Sequence, residues 1–200
     1  MDADNVSSRD KILHAARALF GELGYADTTF KRIAEKSGAA LGLITHYFGS
    51  KEKLFVASSL SVLDELEQAA RAGGAGKPSG LDSVIGFVAA YFAFTLKAGQ
   101  DFMILVRCSP YSDLKGDVNK DDIVGRFEGM INELSRLLKL GMEDGSVVRA
   151  EPFRLATVIF ASIVGSVRTR LLSPYCPDNY FDEALAFIRR AVAADTGSEV

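Results

Sequence analysis

Cysteine is scarce in this chain: Cys108 and Cys176 are the only two in 200 residues, and they belong to no CxxC pair and no Cys/His cluster. A disulfide framework and a structural zinc site are thereby excluded, and neither a metal nor any other cofactor is expected. Cys108 reads as a buried thiol and Cys176 as a loop thiol. Histidine is as rare, with His14 and His46 both near the amino terminus and no nucleophile–base or metal-ligand spacing around them. An enzyme is therefore only a remote alternative, one that would need carboxylates converging in a pocket. No uninterrupted apolar run reaches the ~18 residues that span a membrane. The start, Met1-Asp2-Ala3-Asp4-Asn5, is acidic and polar, unlike a signal peptide. A cytoplasmic protein without a membrane partner is the expectation. No segment reads as a strand, Val147-Val148 being too short, and there is no repeat.

What is present is the composition of a globular protein, 48% hydrophobic and 24% charged. The formal charge of −3 argues against a protein that coats nucleic acid indiscriminately. Its distribution is uneven: from Arg9 to Phe55 eight Lys/Arg stand against five Asp/Glu, whereas residues 56 to 200 are net acidic. A mildly basic head on an acidic body suits local contact with phosphate.

The periodicity predicts an all-α chain of about nine helices. Ser7-Ser8-Arg9-Asp10 offers a capping-box-like start, and Ile12, Ala16, Leu19, Phe20 and Leu23 form one apolar stripe that Gly24 should end. Thr28 and Thr29 cap a second helix through Lys36, Gly38 breaks it, and a third runs from about Ala40 to Phe48. Gly49-Ser50 leads into a fourth, from Lys51 to about Arg71. Residues 73–80, Gly-Gly-Ala-Gly-Lys-Pro-Ser-Gly, read as a flexible loop. Five further helices are expected over Leu81–Lys97, Phe102–Cys108, Asp121–Asp144, Pro152–Leu172 and Asn179–Ala194. Ile123, Phe127, Met130, Ile131, Leu134, Leu137 and Leu138 show the spacing most clearly.

Two short helices over a tight glycine-containing turn build a helix-turn-helix, whose second helix enters the DNA major groove. Ala34 and Gly38 supply small residues where the helices cross, and Ile33, Ala39, Ile44 and Phe48 can pack on the first helix. Leu41, Gly42, Thr45 and His46 then face outward. Thr45 can read base edges through its hydroxyl or methyl, and His46 through a ring nitrogen. Gly42 allows close backbone approach. Tyr47 and Lys51 are placed for phosphate oxygens, Lys51 at the positive end of its own helix. Thr29 could bring a hydroxyl and an N–H to another phosphate. The plainer alternatives are a solvated lysine at Lys51, a mere cap at Thr29, and half-buried packing residues at His46 and Tyr47. The partner expected is double-stranded DNA.

The stretch from about Lys11 to Phe55 resembles the DNA-binding head of the TetR family of bacterial one-component regulators. The matching residues are Ile12, Ala16, Phe20, Gly24-Tyr25, Thr28-Thr29, Ile33-Ala34, Ser37-Gly38, Gly42, Ile44, Tyr47-Phe48 and Ser50-Lys51-Glu52-Lys53-Leu54. Ala40 departs from the pattern where a capping Ser is common, at a cost of about 1 kcal/mol to the third helix. Thr45 departs where a Tyr is frequent. The resemblance implies a head over residues 7–55 and a body over 56–200 that binds a small effector and forms a homodimer through the last two long helices.

On those helices Phe160, Ile163, Val164, Val167, Phe181, Leu185, Ile188 and Val192 are apolar, and Ala161, Ser162, Gly165 and Ser166 permit close approach. The alternative is that they form intramolecular core. Two half-sites need a two-fold reader, which also calls for a homodimer. Phe87, Tyr91, Phe94, Phe102, Met103, Phe127, Met130 and Leu134 could wall an apolar effector pocket, although such stripes are commonly core. Arg107 and Arg168 interrupt apolar helices and could hold an acidic head group, or be paired or exposed instead. The reading is a ligand-responsive repressor that leaves a palindromic operator when a small hydrophobic effector binds. The alternative is an activator or ligand-independent regulator of the same fold.

Overall fold

Ser7 behaves as the expected N-cap: its hydroxyl accepts from the Asp10 amide at 3.1 Å and donates to the Asp10 carboxylate at 2.7 Å. The computed structural model describes residues 7–108 and 121–195. Among these residues are nine α-helices: α1 Ser8–Asp27, α2 Phe30–Ser37, α3 Leu41–Phe48, α4 Lys51–Gly74, α5 Gly80–Ala98, α6 Met103–Cys108, α7 Asp121–Glu143, α8 Pro152–Leu172 and α9 Tyr180–Val192. A 3-10 turn, Gly99–Phe102, joins α5 to α6. The only pairing of β type among the described residues is one antiparallel bridge between Val147 and Ala193.

The described residues divide into two compact units. One lies within Met1–Glu65 and Ala98–Arg126, the other within Leu66–Lys97 and Phe127–Val200. The division falls inside α4, and within the first unit α6 packs on α1.

In the first unit Ile12, Ala16, Phe20, Ile33 and Ile44 are fully buried and bring α1, α2 and α3 together. Phe55 closes this core from α4, edge-on to Phe20 at 5.0 Å between centroids. Burial contributes about 1.5–3 kcal/mol for each such large side chain. Gly24 does not end α1. It breaks the helix at φ +80°, and one more turn follows to Asp27. Only glycine takes that conformation cheaply. Thr28 secures the break by donating its hydroxyl to the carbonyls of Gly24 (2.7 Å) and Leu19 (3.1 Å).

The second unit gathers around Phe160, with Tyr91 and Phe127 edge-on to it at 6.2 and 6.0 Å. Phe92 stacks on Phe181 at 4.2 Å. The glycine-rich stretch from 73 to 80 is a loop at its centre, residues 75–79, as expected, while Gly73 and Gly74 end α4 and Gly80 starts α5. A Cβ on Gly73 would strike Ala90 and the Gly86 carbonyl, and one on Gly86 would strike the Gly73 carbonyl. These glycines are therefore contact surfaces between α4 and α5. Asp144 and Ser146 cap α5 by accepting from the Gly80 and Leu81 amides at 2.7 and 3.0 Å. Glu151 caps α8 through the Phe153 and Arg154 amides, with Pro152 in the first turn as predicted.

Two helical stretches, 80–107 and 152–172, are long and apolar enough to cross a membrane by length and composition. The uninterrupted-run criterion overlooked them because isolated polar residues punctuate both. Cys176 lies half-buried in the α8–α9 connection. The side chain of Cys108 is outside the described residues.

Candidate nucleic-acid interface

The outward face of α3 follows from its own pattern. Ile44 and Phe48 are buried, one turn apart, so the intervening and flanking residues must face outward. Leu41, Gly42, Thr45, His46 and Tyr47 are all exposed, which is the face expected. Leu41 and Tyr47 are apolar side chains left in solvent at 52% and 43% exposure. His46 and Tyr47 lie ring to ring at 5.6 Å. The Thr45 hydroxyl donates back to the Leu41 carbonyl, 3.4 Å away. Nothing lies within 4 Å of the place a Gly42 Cβ would occupy, so the fold itself has no need of glycine there.

The turn before this helix is tight because Gly38 adopts φ +69°. Ala40 occupies the N-cap of α3 and offers no side-chain bond, as its identity dictates. The Ser37 hydroxyl instead accepts from the Ala39 amide at 3.3 Å. Thr29 caps α2, accepting from the Arg32 amide at 3.3 Å, and is exposed at that helix's positive end.

Lys51 lies elsewhere than a free phosphate ligand would. Its ammonium donates to the carbonyls of Tyr25 (3.0 Å) and Ala26 (3.3 Å) and sits 4.5 Å from the Tyr25 ring centroid. Lys51 thus closes the carboxyl end of α1, where cations are favoured. Arg9 was overlooked in the sequence; it lies over the Phe48 ring at 5.4 Å, beside the reader face. Only the fold reveals that a cation from the start of α1 reaches the end of α3.

With this geometry in place the comparisons are decisive. The family profile of the bacterial regulatory proteins of the tetR family matches residues 12–58. Residues 12–58 therefore form a head of the TetR-family type. The repressor AcnR of Corynebacterium efficiens is 50% identical over 52 residues, which cover 26% of this chain and 28% of AcnR. The regulator RutR of Escherichia coli is 26% identical over 159 residues, 78% of this chain and 73% of RutR. Reduced E. coli NemR superposes with a TM-score of 0.73 at 21% identity, over 96% of this chain and all of NemR. A Saccharomonospora viridis protein solved in complex with choline gives a TM-score of 0.78 at 17% identity, over 93% and 97% of the two chains. These structural likenesses establish the fold; the strong sequence likeness is confined to the TetR-family head.

Beyond the head, the residues considered for an effector site separate. Phe87, Tyr91, Phe127, Met130 and Leu134 are buried in the second unit, and Phe94 is half-buried there. Phe102, buried, and Met103, half-buried, belong to the first unit. Arg107 is committed to α1: Nε donates to the Gly21 carbonyl at 3.1 Å and a terminal nitrogen to that of Glu22 at 3.4 Å. Arg168 is half-buried on α8, and Arg170 pairs loosely with Asp178 at 3.9 Å. On the last two helices Phe160, Ile163, Val167, Phe181, Ile188 and Val192 are buried within the chain, whereas Val164 and Leu185 are half-buried. The large apolar side chains in solvent on these two helices are Val158 at 64% and Phe187 at 60% exposure, followed by Leu172 and Phe153. A cleft of about 510 Å³ between α8 and α9 is lined by Ser162, Gly165, Ser166, Thr169, Tyr180 and Phe187, among others.

Proposed function

We propose that this protein is a transcriptional repressor that binds a palindromic operator as a homodimer and is released by a small, largely hydrophobic effector. The observation that carries the reading is the single outward face of α3: Leu41, Thr45, His46 and Tyr47 are solvent-exposed on a helix whose opposite face is locked by Ile44 and Phe48. A rigid helix with an exposed, mixed polar and apolar face is what major-groove readout requires. The named relatives, among them the repressor AcnR, support the same assignment. Residues 7–55 are the DNA-binding part and 56–200 the effector and dimer part in this reading, and operation on DNA places the protein in the cytoplasm.

The exposed Val158 and Phe187 support a homodimer through α8 and α9, since a monomer gains nothing by leaving such side chains in water. Selection from a randomised duplex library tests the whole: a symmetric consensus of two half-sites is expected, and enrichment of no sequence would refute the DNA reading.

For the effector, Phe94 and Arg168 remain as wall and cation, while Arg107 is replaced in that role by its α1 contacts. The mutual packing of Tyr91, Phe127 and Phe160 favours a second reading, a regulator of the same fold that needs no ligand. A thermal-shift screen of fatty acids, their neutral esters and quaternary amines separates the two. Stabilisation by the acids supports the hydrophobic acidic effector. Stabilisation by the amines, as the choline-bound neighbour invites, removes the arginine role. Silence from every class leaves the ligand-independent regulator.

A further inference from the structure

We propose that Arg107 is a positioning residue for DNA recognition, acting through the broken carboxyl end of α1. The inference rests on the DNA-binding reading and adds to it a residue far from the reader face in sequence.

Breaking a helix frees its last carbonyls, which need donors. At Gly24 three different parts of the chain supply them. Thr28 donates to Leu19 and Gly24, Lys51 at the start of α4 donates to Tyr25 and Ala26, and Arg107 at the end of α6 donates to Gly21 and Glu22. The guanidinium also fills the space beside Gly24, where a Cβ would lie 3.3 Å from it. Gly21 lets the preceding turn sit directly on α1: a Cβ there would strike the Gln100 carbonyl and lie 3.4 Å from the Met103 Cβ. No slack remains between α1 and the segment carrying Arg107. Arg107 holds the carbonyls of Gly21 and Glu22 just before the Gly24 break and Lys51 those of Tyr25 and Ala26 just after it, so Arg107 fixes the backbone that leads to the Lys51 contact and on to Thr29 at the start of α2. A guanidinium does this better than an ammonium, because its planar fork addresses two carbonyls at once. Its place on α6 makes the reader's geometry sensitive to any displacement of α6.

The test uses the full-length protein, a duplex that the wild type itself selects from a randomised library, and a scrambled duplex of equal length. Arg107→Gln should weaken binding to the selected duplex about tenfold while changing binding to the scrambled duplex less than twofold, with Arg107→Lys intermediate. Arg107→Gln combined with Lys51→Ala should lose less than the product of the single losses, since both hold the same helix break at Gly24, one from each side. Equal affinity of Arg107→Gln and wild type for the selected duplex would overturn the proposal, as would strictly multiplicative losses. If Arg107→Gln does not fold, amide chemical shifts in Arg107→Lys decide: changes over Tyr25 to Phe30 support the role, and changes confined to α6 overturn it. Failure of the wild type to select any sequence would count against the DNA reading instead.

Discussion

At Lys51 a single ammonium has three protons to donate and two carbonyls in reach. The remaining donor is what a phosphate oxygen can take, at the positive end of α4. Replacing Lys51 with Ala should weaken binding to selected and random duplexes about equally and lower the salt slope by about one unit. It should also cost the free protein about 1 kcal/mol, since two carbonyls lose a charged donor. A salt slope unchanged from wild type would leave Lys51 as a structural clamp alone. Thr45 belongs to the other class of contact. Its side chain is exposed on the outward face of α3 and carries no charge, so Thr45→Ala should alter which bases are preferred while leaving affinity for random DNA near its original value. Competition between selected and scrambled duplexes measures the difference, and equal losses on both would remove Thr45 from base reading.

Among the elements, α3 is short and lacks a cap, and the physics of N-caps offers a gain of function in stability. Ala40→Ser should supply the missing side-chain acceptor and raise stability by about 1 kcal/mol, read as a higher urea midpoint with unchanged slope. The helices themselves were legible because their apolar residues recur at three and four, and all nine fall close to where that spacing puts them. The break at Gly24 and the packing role of Gly73 and Gly86 were not, and for one reason. Sequence shows that a glycine lacks a side chain, not whether the freedom is spent on an unusual φ or on an approaching backbone. At Gly24 it is φ; at Gly73 and Gly86 it is the crossing of α4 and α5. Gly73→Ala or Gly86→Ala should therefore destabilise by about 1–3 kcal/mol, whereas a solvent-facing alanine of similar helix propensity elsewhere would not. The outward face of α3 was equally legible, since inward Ile44 and Phe48 dictate what points outward. Arg107 and Lys51 were not, because their acceptors are main-chain carbonyls 86 and 26 residues away, which leave no mark on side-chain pattern.

On the scale of the whole molecule, the burial pattern of α8 and α9 decides how association can be tested. Ile163 is fully buried within the chain, so Ile163→Asp would unfold the protein rather than separate two copies. Phe187→Asp and Val158→Asp place the charge on exposed positions instead. They should give monomers of unchanged helicity that bind a palindromic duplex poorly, as judged by sedimentation and anisotropy. A wild type that sediments as a monomer at micromolar concentration and still binds the full duplex would sink the two-fold reading. Acid sensitivity is a second global property. The Arg189 guanidinium, at 2.7 Å, and then Ser79 hold the Asp82 carboxyl below its ordinary value of 3.8. A depressed carboxyl stabilises the fold above its unfolded pKa, and that contribution is lost as pH falls through the lower folded value. The stability difference between wild type and Asp82→Asn should therefore be constant near neutrality and shrink below about pH 4, as chemical denaturation across pH would show.

The bridge between Val147 and Ala193 reaches further than its size suggests. The Val148 amide donates to the Val192 carbonyl and the Ala194 amide to that of Ser146, the residue whose hydroxyl receives the Leu81 amide. The tail of the chain is thus stitched to the root of α5. A fluorophore placed at Asp195 would report on the start of α5 rather than swing freely. Shortening the chain to Arg190 would remove the stitch altogether, loosening an element more than a hundred residues upstream of the cut.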